Sequence, residues 1–449
     1  VTNRPNAIII ATGAVLLAAY LAAMIAMPKP DGRVVFGDAT HYFVQLRSLV
    51  YDRDVHFQNE YIRLYGLTEY VPGTEWIYSD LTPTGYLRNY MPLGPALLWA
   101  PVYLVMTLLQ LVASGMGLAA RPDGFSWFQQ LAPGISGVCA ATLASLVTLK
   151  TLRARVGDTA ALVGVLGTWI GTHAVYYSLV SPNYSHAVSM LTASAFFGSW
   201  LTGRAAPSPG RFAGWGALAG LCALMRWQDA IFLLVPAIEA IRWRQPLARR
   251  VAALALAGCT FLAVFSPQMA MWHVLYGQPF AIPQGPSFMQ WTTPHLFSVL
   301  FSDNHGLITW APLIVVGLAG LWMALREEPA WRLPVAAVLL VSWYVNGAVA
   351  DWWAGEAFGA RRFISLFPLF ALGLATWVAR RSGRTDSSAL SIPRVAVVIV
   401  FTGLNWLLLL QYQLYLKGAH DLAAYPTGAF NMWFERFVVP FRLIGRMFG

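Results

Sequence analysis

Five polar clusters in an otherwise apolar chain hold side chains able to move protons or bind anions. In the first, FGDATHYFVQLRSLVYDRDVHFQNEY (Phe36–Tyr61), Asp38 follows Gly37 and His41 lies three residues on. Asp38 is either a helix cap beside an acidic loop, or a general base held by a helix terminus at the water–lipid boundary. His41 would then orient that carboxylate or contact a phosphate. The second, RNYMPLGPALLWAPVY (Arg88–Tyr103), has the prolines and glycine of an irregular segment covered by protein at membrane depth. In the third, SPNYSHAVSM, Ser185 and His186 open a helix; capping accounts for them, and His186 or Tyr184 could instead donate to a sugar or phosphate. The fourth, LMRWQDA, sets Arg226 and Asp229 one turn apart. Each is expensive in a membrane unless paired, so mutual pairing is expected, the alternative being Arg226 turned into a cavity against a lipid phosphate. The fifth joins LFSDNHGLITWAPL with DWWAGEAFGARRF, where His305 precedes one apolar stretch and Arg361 and Arg362 open another. Guanidinium forks match phosphate oxygens bidentately, while Asp351 and Glu356 are competing partners. Trp352, Trp353 and Phe358 are interfacial aromatics or a stacking floor for a sugar ring.

These residues must be positioned by a body that water does not surround. The chain has 449 residues, 57% hydrophobic and 11% charged, with mean hydropathy +0.55. Soluble domains carry about 25% charged residues, so a soluble enzyme, a disordered chain and a repeat solenoid are excluded. Apolar stretches of about 20 residues match the bilayer core. They fall near 7–27, 91–113, 131–150, 159–178, 185–202, 213–225, 228–241, 250–267, 306–325, 333–349, 363–379 and 393–411. The expectation is an all-α polytopic membrane protein with roughly 10–12 transmembrane helices and a long first outer loop carrying interfacial helices. The first stretch reads as a retained span rather than a signal peptide.

The net charge of +10 is topological. Only Lys29, Lys150 and Lys417 are lysines, and most arginines cluster between apolar stretches, marking inner loops. No continuous basic face with interleaved aromatics suggests nucleic acid. Cys139, Cys222 and Cys259 lie in apolar segments and suit packing rather than a disulfide or metal site. Outer loops then fall at 28–90, 181–186, 269–305 and 350–362. A full crossing at 91–113 would put Lys150, Arg153 and Arg155 outside. That segment is therefore expected to lie in or dip into the outer leaflet, broken at Pro92, Pro95 and Pro101. The short pair 213–225 and 228–241 is expected to form a hairpin with both ends inside. Tyr42, Leu46 and Leu49 predict an amphipathic helix over 39–51 along the interface. The domain reading is a transmembrane body, 1–411, and an amphipathic interfacial tail, 412–449, that could shield the site. All eight histidines lie on or near the outer side, and eight of twenty acids crowd into the first outer loop. No internal repeat supports a transporter. The chemistry faces outward, on an amphiphile with a phosphate head.

Taken in order, GDATHYFVQLRSLVYDRDVHFQNEY, MPLGPALLWAP, SPNYSHAVS, LFSDNHGLITWAPL and WWAGEAFGARRFISLFPL resemble bacterial members of the GT-C superfamily of membrane glycosyltransferases. The nearest branch is that of protein O-mannosyltransferases and aminoarabinose transferases, and the resemblance spans residues 36–370. It implies a multi-pass bacterial inner-membrane enzyme whose site faces the periplasm or exterior. Such an enzyme moves a hexosyl or pentosyl sugar from a polyprenyl-phosphate donor to an acceptor hydroxyl by a single inverting displacement.

The resemblance implies Asp38 as base. The candidate phosphate ligands are Arg361, Arg362 and His305, with Arg88 and His41 behind them and Arg226 a lesser choice. Tyr42, Trp352, Trp353, Glu356 and His186 form the candidate sugar- or acceptor-binding set. A phosphate leaving group requires no cofactor. Relatives often carry two adjacent acids where this chain has Ala39 after Asp38, which leaves a divalent metal open. The same departure motivates the alternative, a non-catalytic GT-C-like subunit or scaffold of a membrane complex. Expected partners are the lipid-linked sugar, the bilayer, a glycan, lipid or protein acceptor, and membrane proteins, with no nucleic acid.

Overall fold

The computed structural model describes residues 3–26, 33–66, 74–379 and 391–448. The expected basic cluster Arg380, Arg381 and Arg384, with Lys29, Asp31 and Glu69, lies outside the described residues. The first apolar stretch forms α1 (Arg4–Ala26). The polar insertion contributes α2 (Asp38–Arg47) and α3 (Gln58–Tyr65), and α4 is Gly94–Gly115. Then come α5 (Ala132–Val156), α6 (Asp158–Ile170), α7 (Ser185–Gly203), α8 (Pro209–Met225), α9 (Leu234–Arg242) and α10 (Leu247–Tyr276). The last third adds α11 (Leu313–Glu327), α12 (Arg332–Gly347), α13 (Phe367–Val378), α14 (Ile392–Leu416) and α15 (Glu435–Phe448). Among the described residues β structure is confined to isolated bridges, Leu81 with Leu87 and Met289 with Val349 among them. The chain is an all-α polytopic membrane protein.

Six helical segments, 4–26, 94–115, 127–156, 247–276, 361–378 and 392–416, are long and apolar enough to cross a membrane. Other expected spans are assembled from pieces. The stretch 159–178 is interrupted at Gly171, and 306–325 breaks at Ala311 before Pro312, whose missing N–H cannot extend the preceding turn.

Side-chain contacts gather the basic clusters at one end of the molecule. α1 and α5 run antiparallel, with Tyr20 against Gly134, Gly13 against Thr142, and Arg153 donating to Asn6 at 3.2 Å. At the same end Arg155 pairs with Glu328 (2.9 Å), Arg204 with Glu239 (3.0 Å), and Arg242 donates to the Ala330 carbonyl (2.8 Å). The basic clusters thus meet beside the N-terminus, and α8 and α9 form a hairpin with both ends there.

Two local expectations are corrected. α4 is one continuous helix through Pro101, not a broken segment. Yet both its ends meet the first polar loop. At the start, Gln45 donates to the Met91 carbonyl (2.9 Å). At the far end the chain doubles back, so that Gly124 accepts from Tyr103, and Gln129 donates to Tyr51 and Thr107 (2.8 Å each). α4, long enough to cross, packs on α2 through Trp99 and Tyr103, and the basic end of α5 stays with the N-terminus. α2 ends as expected near residue 51, through a single π turn closed by Arg53 at φ 60°. It is not half-exposed, however: every residue from Ala39 to Leu46 is buried. Tyr42 meets Trp99 and Phe43 meets Tyr103 edge-on, because α4 covers the face expected to meet lipid.

The expected domain boundary at 411 falls inside α14, which continues to Leu416. The tail returns to the body through Asp303, which accepts from Gly428 N at 2.6 Å. In α15, Phe437, Phe441, Ile444 and Met447 are exposed, as an interfacial helix requires.

Cysteines introduced at Leu118, beyond α4, and at Arg242, in a background lacking the native thiols, test this arrangement. The Leu118 site is expected to react with a membrane-impermeant maleimide from the side that labels Gly277→Cys, and the Arg242 site from the opposite side.

Candidate active site

At the end away from the basic clusters, a cavity of about 540 Å³ opens between the first loop, the α8–α9 hairpin and two later loops. Its polar wall is Asp38, Tyr42, Ser185, His186, Arg226, Gln228, Asp351, Arg361 and Arg362; Trp227, Trp272, Ile282, Phe288 and Trp291 line the apolar side. A backbone bridge between Met289 and Val349 joins the two later loops at the rim.

Each charged side chain is held by a different local device. Gly37 turns the chain into α2 at φ 54°, and a Cβ there would lie 2.9 Å from the Tyr184 hydroxyl. Glycine is thus required on both conformational and steric grounds. The turn leaves Asp38 as the first residue of α2, where its side chain caps nothing. The carboxylate instead accepts from Arg361 at 2.5 Å across 323 residues of sequence, and 29% of the side chain stays accessible from the cavity. Arg361 lies over the Tyr184 ring, 5.7 Å from its centroid. Arg362 donates to the Asp351 carboxylate (2.7 Å) and to that residue's carbonyl (2.6 Å).

Arg226 differs. It follows α8 in an extended conformation, where Gly94 lets α4 approach closely; a Cβ on Gly94 would sit 2.3 Å from the Leu224 carbonyl. Its guanidinium donates to His186 Nδ1 and, at 3.4 Å, to Gln228. Since a guanidinium only donates, His186 accepts at Nδ1 and keeps its proton on Nε2. The expected pairing with Asp229 is not formed, because that carboxylate bonds two serines. Among the described residues Arg226 makes no ion pair, although it is 92% buried (relative exposure 8%). Three guanidinium groups therefore share a wall with two carboxylates, and the cationic surplus sits on Arg226. Such a wall favours an anion, since Asp229 acts on Arg226 only as a nearby charge without a direct bond, and the desolvation cost of that buried cation is repaid only in part.

Among known structures, ArnT from Cupriavidus metallidurans in the apo state is similar with a TM-score of 0.50 and 13% identity, over 96% of this chain and 75% of that one. The same protein bound to undecaprenyl phosphate gives 0.48 and 14% identity, over 99% and 79%. AglB from Archaeoglobus fulgidus, in complex with an inhibitory peptide and a dolichol-phosphate, gives 0.46 and 12%, over 88% and 54%. No family model and no curated protein matches the sequence. The chain shares the fold of the first of these structures.

On this body the expected site residues separate into two groups. Asp38, Arg361, Arg362, Tyr42 and His186 line the one cavity. The others do not. His305, at φ 66°, donates from Nδ1 to the Trp353 carbonyl and accepts at Nε2 from Tyr425, both at 2.9 Å. With both nitrogens engaged it ties the tail to the body. His41 is buried against Tyr61, Nδ1 to hydroxyl 2.7 Å. Arg88 pairs with Asp80 (2.8 Å) and donates to the Pro283 carbonyl, which holds the rim. Trp352 packs beside His295, and Trp353 and Glu356 face outward. Among the described residues of the tail, none lines the cavity. Of the residues missed, Gln228 stands inside the fourth motif, LMRWQDA, whereas Trp272, Gln284 and Trp291 carry no local signal. Among the described residues no three His, Cys, Asp or Glu side chains gather as a metal set.

Two measurements follow from this geometry. Gly37→Ala is expected to lower stability by about 1–2 kcal/mol through its left-handed backbone, and to displace Tyr184 from beneath Arg361. Thermal melts of both proteins in detergent check the cost. Burial lowers His41 and His305 to about 4, with Asp38 opposing the shift at His41 and the Trp353 bond opposing it at His305. The unfolded chain binds these protons from near pH 6.5 and the folded one does not, so stability is lost as pH falls from 6.5 towards 4. Glu60, raised to about 7 by burial, acts in the opposite sense, so the comparison must be between variants. His305→Gln should lose less melting temperature than wild type between pH 7 and pH 5.

Proposed function

We propose that this chain is a glycosyltransferase that moves a sugar from a polyprenyl-phosphate carrier to an acceptor hydroxyl. The observation that carries this reading is the convergence of Asp38, Arg226, Arg361 and Arg362 on one cavity whose other side is apolar. An apolar wall suits the isoprenoid end of such a donor, and the cationic wall suits its phosphate. The GT-C fold agrees with this reading. The site faces the exterior of a bacterial inner membrane, because it lies opposite the basic clusters.

The reaction is a single inverting displacement. The acceptor oxygen forms a bond to the anomeric carbon while its proton passes to the Asp38 carboxylate. The bond from the anomeric carbon to the phosphate oxygen breaks, and its electron pair leaves with the lipid phosphate. Charge grows on that oxygen, where guanidinium donors fixed in advance stabilise it most. Arg226, with no carboxylate of its own, is the first phosphate ligand. Arg361 is the second: it stands between base and phosphate, and transferring its hydrogen bond to the incoming phosphate frees Asp38 to accept a proton. Arg362, held twice by Asp351, contributes charge at longer range. His186 fixes the orientation of Arg226.

The engagement of Asp38 by Arg361 favours one second reading, a GT-C-like subunit that binds lipid phosphate without turnover. Purified protein in nanodiscs, supplied with undecaprenyl-phosphate-linked sugars and a membrane acceptor extract, separates the two by release of undecaprenyl phosphate. Asp38→Asn is expected to lower release by about 100-fold or more while retaining lipid binding. Arg226→Gln should weaken binding of undecaprenyl phosphate about tenfold or more. Equal turnover by wild type and Asp38→Asn would falsify the assignment of the base. Binding with no turnover of any donor would favour the subunit.

A further inference from the structure

Asp229 is buried at the α8–α9 hairpin tip, in the short 3₁₀ stretch Trp227–Leu233, and takes no part in the chemistry above. Its Oδ2 accepts from Ser189 Oγ at 2.9 Å and its Oδ1 from Ser365 Oγ at 2.7 Å. The three residues occupy equivalent places. Asp229 lies three residues after Arg226, Ser189 three after His186, and Ser365 three after Arg362. One carboxylate therefore joins the three elements that carry the cationic wall, one helical turn behind each functional side chain. Gln228 adds a strut, donating to the Arg362 carbonyl (3.0 Å) and to Asn346 (3.3 Å).

We propose that Asp229 is a positioning residue, whose two serine bonds set the spacing of Arg226 and His186 against Arg361 and Arg362 and so the width of the anion seat. The inference rests on the reading of that wall as a phosphate seat. A carboxylate suits the task because it only accepts: both serine hydroxyls must donate to it, which leaves each one orientation. Bonds to an ionised acceptor are also about twice as strong as neutral ones, and are felt more in a water-poor interior. Asp229 makes neither bond to substrate nor contact with the cavity, so it acts through the groups it ties.

Binding of undecaprenyl phosphate to the full chain in nanodiscs tests the proposal, with melting temperature measured on the same samples. Ser365→Ala and Asp229→Ala each cut one or both ties and are expected to weaken binding about tenfold. Asp229→Asn can accept from one serine and donate to the other, and is expected to stay within about threefold of wild type. A merely structural role would lower the melting temperature of Ser365→Ala and leave the affinity of the folded protein unchanged, which overturns the proposal. Tighter binding by both Asp229→Asn and Asp229→Ala also overturns it, since Asp229 would then act only as a distant counter-charge to Arg226. Should Asp229→Ala fail to fold, Ser365→Ala and Ser189→Ala decide the matter. If wild type binds no lipid phosphate, the phosphate reading itself fails, an outcome distinct from wild-type binding that Ser365→Ala leaves intact.

Discussion

The ion pair between Asp38 and Arg361 is the contact on which the rest of the site depends. It closes a separation of 323 residues at 2.5 Å, in a cavity bounded largely by apolar side chains. The pair is only partly buried, with 29% of the Asp38 side chain accessible. Removing one partner thus costs less than the about 3–5 kcal/mol typical of a fully buried pair, but still leaves the other charge without its partner. The first loop and the turn at 361–366 are therefore bound to each other electrostatically, and the cavity forms where they meet. Neither half is a site alone.

Around that pair the charges are distributed unevenly. Arg361 and Arg362 each have a carboxylate, while Arg226 has only the neutral His186 and Gln228. Asp229 lies near enough in sequence to have neutralised Arg226, yet is spent on two serines. An anion entering the cavity thus meets one cation that needs it and a second, Arg361, that can exchange one oxygen ligand for another. Binding and activation of the base become linked through a single guanidinium.

Elements gathered around the cavity do much of the positioning. The α8–α9 hairpin enters from the basic end and delivers Arg226 and Gln228 to the cavity. α4 covers α2, so that Asp38 opens a buried helix rather than a floating one. The two meet at Gly94, where the missing side chain lets the start of α4 reach the Leu224 carbonyl.

Composition, hydropathy and the spacing of arginine clusters determined by themselves that this is a helical multi-pass protein with its reactive side chains at one end. These features are local, and the bilayer penalises any other placement of charge or unpaired backbone. Arg361 and Arg362 were legible for the same reason, as charges standing where the topology does not favour them, whereas Asp38 was marked by its place at a helix start and by the family resemblance. Tertiary structure alone decided which polar residues share a cavity. His305, His41 and Arg88 looked as reactive in sequence as His186, but each finds a partner elsewhere in the fold, at Trp353 and Tyr425, at Tyr61, and at Asp80. Asp229 and Arg226 would have paired in an isolated helix turn. The serines that separate them arrive from helices 40 and 136 residues away, and no spacing along the chain records a hydrogen bond made across it.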